Sequence, residues 1–477
     1  MELEVLKTEA ETEVGSYFVA NYPPFSAWSP QHAPAALETL RSAAPDPPPL
    51  GLYLHIPFCR KRCKFCYFRV YTDKNARDVD EYMDALAREI ELYKDQPRLA
   101  GREFEFVYFG GGTPSFLSSR QLERLIERIN RHWRWDAARE VTFECEPGTL
   151  KKGKLETIRS IGVSRLSLGI EHWDDDVLEL NGRAHRSAEI ERAYDWARGV
   201  GFPQINVDLI AGMAGESEDK WRRTVAKTLA MRPDSLTIYQ MELPHNAVFS
   251  QEAKASGRSP VADWATKRRW VDYAFGEFER AGYKVSSAYT VVNGRSEESP
   301  RPGSSVGPPR PTEQAGAPAV QAPAVQAPAV RAPAVQGSFV YRDSLWRGAD
   351  MVGTGVASFS HVGGTHYQNH DRWEDYIGAV RRGEAPIHRA LPITPRQALI
   401  RELALQLKLG RVDAGYFREK FGVEIARDFS DAFARLKEQE FVEVRGDDVR
   451  LTRAGLLRVD ALLPNFFEPQ FRGVRYT

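Results

Sequence analysis

The sequence predicts an α/β protein: a partial, open, TIM-like (β/α)6 barrel followed by a small winged-helix-like α+β domain. Three observations carry that prediction. Six short apolar segments alternate with helical patterns from about residue 50 onward. A proline- and alanine-rich repeat then interrupts the chain. Near the C-terminus, two helix-like runs precede a hairpin turned by Gly446-Asp447-Asp448.

Residues 1–49 read as an N-terminal arm rich in proline and aromatics, extended and packed on the body. The core follows over 50–293. Its strand candidates are Leu52–Ile56, Phe104–Phe109, Val141–Cys145, Arg165–Ile170, Ile205–Ile210 and Ser235–Tyr239, all short and rich in β-branched or aromatic residues. Between them, Val79, Tyr82, Met83, Leu86, Ile90 and Tyr93 recur at helical spacing. So do Leu122, Leu125, Ile126, Ile129 and Trp133, opened by a capping box of Ser118 and Gln121. Trp221, Val225 and Leu229 form a third such face. Strand-then-helix repeats argue for a parallel sheet with helices outside, and six are too few for a closed eight-unit barrel. Residues 294–337 hold a five-residue Ala-Pro-Ala-Val-Gln repeat that has no means of burying a core, so they read as a disordered insertion. Residues 338–390 return to the core, with Met351–Phe359 as a strand. Residues 391–477 form the C-terminal domain: helices over Arg396–Leu409 and Ile425–Gln439, then a hairpin of Val442–Arg445 and Val449–Thr452.

Bulk composition excludes several classes. Lys+Arg and Asp+Glu are both 65, so no basic excess points to nucleic acid. The candidate recognition helix, Ile425–Gln439, is not basic, which favours a lid or scaffold role for its domain. No signal peptide and no bilayer-spanning apolar stretch is seen, and the expected location is cytoplasmic.

Three of the four cysteines lie in eight residues, as Cys59-x3-Cys63-x2-Cys66. A tight cluster of this kind reads as metal-binding rather than as a disulfide framework. Three thiolates can hold three irons of a [4Fe–4S] cube and leave the fourth open. An open iron is a site for the amino and carboxylate groups of S-adenosylmethionine (SAM). One electron into the sulfonium then releases a 5′-deoxyadenosyl radical, with the hard chemistry supplied by the cofactor. Two other readings of the cysteines stand beside this one: a buried stripe on a helix, which Pro57 opposes, and a structural zinc with His55 or Cys145 as fourth ligand.

Barrel chemistry sits at the C-terminal ends of strands. Here the first strand runs into the cysteine loop and the second into Gly110-Gly111-Gly112-Thr113-Pro114. The third carries Glu144 and Glu146, the fourth ends at Glu171, the fifth carries Asp208 and the sixth runs to Glu242. The glycines offer bare backbone to a ligand. Glu144 and Asp208 are candidate acceptors for ribose hydroxyls. Cys145 faces away from Glu144 by strand alternation and reads as core.

These residues, Tyr53 to Cys66, Gly110–Pro114, Arg165–Glu171 and Asn206–Gly212, resemble the oxygen-independent coproporphyrinogen III oxidase family of radical SAM proteins. The resemblance covers about residues 50–293 and 338–465. It implies a partial barrel of radical SAM type, a [4Fe–4S] cluster on Cys59, Cys63 and Cys66, and one or two SAM molecules. It places Tyr53, Gly111 and Glu144 on the first SAM, with Phe359 near it. It places Phe65, Gly112, Thr113, Glu171, Arg183, Asp208 and Glu242 around the second. An electron donor such as flavodoxin or ferredoxin is implied, with a small substrate: a porphyrinogen, a quinone or another aromatic.

Several positions depart from the pattern. Phe68 stands where the haem-making oxidases have a further cysteine. Tyr341-Arg342-Asp343-Ser344-Leu345-Trp346 lacks the histidine of the haem-trafficking relatives, for which His361, His366 or His370 are the substitutes at hand. Glu171 replaces a usual glutamine and Glu242 a usual small residue. A third branch of the family methylates sp² carbons. The expected activity is therefore radical methyl or one-carbon transfer to a small substrate, with coproporphyrinogen III oxidation and haem carriage as the alternatives.

Overall fold

The computed structural model describes residues 12–14, 19–294 and 339–474. The repeat insertion lies outside the described residues, apart from Gly294. The arm is more structured than an extended segment: Ala33–Arg41 is a helix that packs beneath the return strands, with Ala36 and Leu40 buried.

The six expected strands form in order as β1 (Leu50–Ile56), β2 (Phe104–Gly111), β3 (Glu140–Cys145), β4 (Arg165–Glu171), β5 (Gln204–Ala211) and β6 (Ser235–Gln240). All five neighbouring pairs are parallel. β7 (Tyr283–Val285) and β8 (Thr290–Asn293) add an antiparallel edge to β6. On the other side, β9 (Asp350–Thr354) lies parallel to β1. β10 (Phe359–Val362), β11 (Thr365–Asn369) and β12 (Ile387–Pro392) follow antiparallel. The twelve-stranded sheet stays open, with β12 and β7 as its edges. Met351–Phe359 is thus two strands. The chain turns between them at Gly355 (φ +102°) and Ala357 (φ +60°), which a continuing strand does not allow.

Strand alternation sorts side chains between two environments. On β1, Leu52, Leu54 and Ile56 are fully buried against helices Ala76–Tyr93 and Ser119–Ile129 in the main core. The opposite face carries Tyr53 and His55, and across the sheet Tyr108, Glu144, Ser167, Asp208 and Thr237. This inner face is polar and heavily bonded. Asn206 Nδ2 donates to Ser167 Oγ and Asp208 Oδ1, at 2.9 and 2.8 Å, and Ser167 Oγ donates to Asp208 Oδ2 at 2.9 Å. Helix Val340–Trp346 packs against its N-terminal end. Glu140 accepts the Val340 and Tyr341 N–H groups, and the Arg165 guanidinium lies 3.9 Å from the Phe339 ring centroid.

The C-terminal domain has its own core of Leu399, Leu403, Phe417, Phe433 and Phe466. The run Ile425–Gln439 divides into two helices, Ile425–Asp428 and Ser430–Glu438. A short strand, β13 (Arg411–Asp413), joins the hairpin of β14 (Val442–Arg445) and β15 (Asp448–Leu451). Among the described residues no helix is long and apolar enough to cross a membrane.

Candidate active site

A cavity of about 320 Å³ opens at the C-terminal ends of β1–β6. Its lining includes Cys59, Cys63 and Cys66 from the loop after β1, Gly111, Gly112 and Thr113 after β2, and Glu144, Glu171, Asp208 and Glu242 from the following strand ends. Phe65 and Arg183 line it too. Residues far apart in sequence therefore meet on one rim.

Two of the expected residues do not reach it. Phe359 packs on the arm, its ring 4.3 Å from Phe25 and 5.6 Å from Trp28. β10 runs antiparallel to β9, outside the parallel array whose ends form the rim. Tyr53 sits one layer back, its hydroxyl 3.2 Å from His55 Nδ1 and its ring stacked on Tyr108, which does line the cavity.

The cysteine loop is fixed by backbone bonds at its start and within it. Cys59 N–H donates to Tyr71 O and Cys66 N–H to Cys63 O, at 3.0 and 3.1 Å. All four cysteines are free. The Thr113 hydroxyl lies 3.3 Å from Cys59 Sγ, and Arg183 Nη1 donates to Cys63 Sγ at 3.2 Å. Burial pushes the Cys59 and Cys66 thiols up to about 11 and about 12, so loading iron on them releases protons. Cys145 is buried in the main core, as alternation requires, and His55 bonds Tyr53; neither turns toward a zinc site with the three thiols. Among the described residues no group of three or more His, Cys, Asp or Glu is placed to hold a single metal ion. Three free thiols around a cavity, two of them facing hydrogen-bond donors, fit a cluster with three protein ligands.

The glycine run differs from its expected role. Its N–H groups are not bare: Gly111 donates to Glu144 Oε2 (3.2 Å), Gly112 to Ile56 O (2.8 Å) and Thr113 to Phe58 O (2.8 Å). The run ties the cysteine loop to β2 and β3. Gly112 is required there, because a Cβ would lie 2.8 Å from the Pro57 carbonyl carbon.

The carboxylates share a common electrostatic state. Burial pushes Glu144 and Glu171 up to about 7 and raises Asp208 as well. Glu144 accepts the Tyr108 hydroxyl at 2.7 Å. Glu171 adopts a left-handed backbone (φ +62°), a conformation that costs a side-chain-bearing residue about 1 kcal/mol. Its carboxylate lies 3.6 Å from Arg183 Nη2. The deep cavity therefore offers acceptors to a cation. The same cavity is also lined by Tyr67, Phe68 and Tyr239 and by Lys61 and Arg62. Phe68 is 41% exposed, unusual for its size. Sequence reasoning missed Tyr67 and Tyr239, because single aromatics in a loop or at a strand end carry no periodic signal.

His361 and His366 lie apart from this cavity. Their Nδ1 atoms are 3.1 Å from each other, and Trp28 stacks over the His366 ring at 5.0 Å.

Comparison with known proteins agrees with this geometry. Residues 53–227 match the radical SAM superfamily, and residues 393–458 match the HemN C-terminal domain. The oxygen-independent coproporphyrinogen III oxidase of Escherichia coli is 24% identical over 416 residues, covering 86% of this chain and 84% of that protein. The haem chaperone HemW of Bacillus subtilis is 24% identical over 407 residues, covering 85% and 96%. The solved structure of the Escherichia coli coproporphyrinogen III oxidase shares the fold with a TM-score of 0.75 at 22% identity, over 97% of this chain and 98% of that one. The chain is a radical SAM enzyme that carries a HemN C-terminal domain.

Proposed function

We propose that this enzyme cleaves SAM reductively in the cavity and abstracts a hydrogen atom from a carboxylated tetrapyrrole of the porphyrinogen class. The carrying observation is one cavity lined together by three cysteine thiols, four carboxylates, the aromatics Tyr67, Phe68 and Tyr239, and the cations Lys61 and Arg62. In this reading Cys59, Cys63 and Cys66 hold the cluster. When bound, the cluster and SAM supply an electron and a carbon-centred radical. Glu144, Glu171 and Asp208 take the cationic and hydroxyl groups of SAM. Tyr67, Phe68 and Tyr239 pack on pyrrole rings, and Lys61 and Arg62 pair with carboxylate arms. A one-electron donor of the flavodoxin or ferredoxin kind supplies the electron for SAM cleavage, and the substrate radical forms its vinyl group by losing CO2 and passing one electron to a one-electron acceptor.

Relatives named as coproporphyrinogen III oxidases at near full length support this reading. Methyl transfer, expected from Phe68 and from the missing histidine motif at Tyr341–Trp346, draws no support from those relatives. Haem carriage on His366 is disfavoured by the Trp28 ring stacked over it. The test is anaerobic reconstitution, incubation with coproporphyrinogen III and SAM, and mass analysis. Vinyl products with 5′-deoxyadenosine and methionine support the proposal. S-adenosylhomocysteine or methylthioadenosine revives methyl transfer, and a stoichiometric haem complex without SAM turnover replaces both with a carrier.

A further inference from the structure

The donors that meet the cysteine sulfurs have a consequence beyond holding the loop. Arg183 reaches Cys63 from a remote part of the chain, Nη1 to Sγ 3.2 Å, while its Nη2 donates to Gly169 O at 2.6 Å. Its Nε has no hydrogen-bond partner among the described residues. The Thr113 hydroxyl meets Cys59 Sγ at 3.3 Å. A cysteine bound to iron is a thiolate and has no proton to give, so in both contacts the side chain donates and the sulfur accepts.

Reduction adds one electron to the cluster, and part of its charge falls on the ligand sulfurs. Donors to those sulfurs stabilise the reduced form more than the oxidised form, and Arg183 adds a full positive charge in a poorly solvated site. Glu171, 3.6 Å from Arg183 Nη2, opposes that charge. We propose that Arg183 and Thr113 are redox-tuning residues that raise the midpoint potential of the cluster, with Glu171 as the counterweight. This rests on the reading that Cys59, Cys63 and Cys66 hold the cluster. Arg183 and Thr113 act through the ligand sulfurs and Glu171 acts through Arg183, all as positioning residues.

The test is an EPR-monitored redox titration of the full chain, reconstituted with iron and sulfide in the absence of SAM. Arg183→Met lowers the reduced-to-oxidised ratio at the wild-type midpoint about tenfold, a shift of about 59 mV for a one-electron couple. Thr113→Val shifts the same way by less. Glu171→Gln shifts the opposite way. Arg183→Lys and Thr113→Ser return toward wild type, which loss of packing alone does not predict. If Arg183→Met fails to hold iron, Thr113→Val and Glu171→Gln carry the test by moving in opposite directions. Variants that assemble a cluster and titrate with the wild type overturn the inference alone. A wild-type chain with no reducible cluster overturns the functional reading and this inference with it.

Discussion

The guanidinium of Arg60 grips the carboxylate of Glu146 with two nitrogens, Nη2 to Oε1 at 2.8 Å and Nε to Oε2 at 3.3 Å. This joins the residue after Cys59 to the residue after β3. Burial acts to raise the Glu146 carboxyl, but bonds from His185 and Arg60 outweigh it and hold it at about 2. A depressed acid stabilises the fold above its unfolded value of about 4.5. That contribution is lost as pH falls from about 4.5 through about 2. Because Arg60 is 37% exposed, solvent screening discounts the pair to about 1–2 kcal/mol. Glu146→Gln is expected to lower stability by that amount at pH 7 and to match wild type at pH 2, as read by urea unfolding at both values.

The carboxylates deep in the cavity predict proton-coupled SAM binding. Glu144 and Glu171 both sit near 7 through burial, and a bound cation favours their ionised forms. SAM affinity is therefore expected to rise about fivefold to tenfold between pH 6 and pH 8, with proton release. Calorimetry in two buffers of different ionisation heat measures the protons directly. Glu144→Gln flattens the dependence.

Gly112 predicts a steric failure at the cysteine loop. The Cβ of Gly112→Ala would meet three backbone atoms of Ile56, Pro57 and Phe58 at 2.8–3.0 Å, and backbone cannot rotate aside. A cost of about 1–3 kcal/mol is expected. Thermal melting and iron content after reconstitution should both fall, while Gly153→Ala, with open space around it, changes neither.

Glu89 locks the return strands to helix Ala76–Tyr93. Fully buried, it accepts Gly355 N–H (2.8 Å), Asn369 Nδ2–H (2.6 Å) and Tyr376 O–H (2.7 Å). Glu89→Ala leaves those donors without partners and is expected to cost about 3 kcal/mol. Burial pushes the acid up to about 7, so its ionisation opposes folding. Its stabilising contribution is complete below about 4.5 and declines as pH rises through about 7. Denaturant unfolding of wild type and Glu89→Gln from pH 4.5 to 8 should show wild type losing ground at the upper end.

The strands and helices of the core were legible because their apolar residues repeat at regular spacing: Val79 to Tyr93 and Leu52 to Ile56 point to the faces they bury. The three-cysteine spacing carried the site, and one acid per strand end marked the rim. Other features depend on contacts that no local pattern records. Arg183 and Cys63 are 120 residues apart, and their bond forms only once the fold brings the two segments together. The glycine N–H groups look available in sequence and are taken by Ile56, Phe58 and Glu144 in space. Phe359 reads as part of a parallel strand until Gly355 and Ala357 break it. The division of Ile425–Gln439 at Phe429 leaves an uninterrupted apolar pattern in the sequence, so the periodicity conceals it.

The most direct measurement is EPR of the anaerobically reconstituted, reduced chain, before and after SAM is added. The account predicts a [4Fe–4S] signal whose g-values shift when SAM binds, and loss of that signal in Cys63→Ala. A centre filled by zinc, or a cluster signal indifferent to SAM, would contradict it.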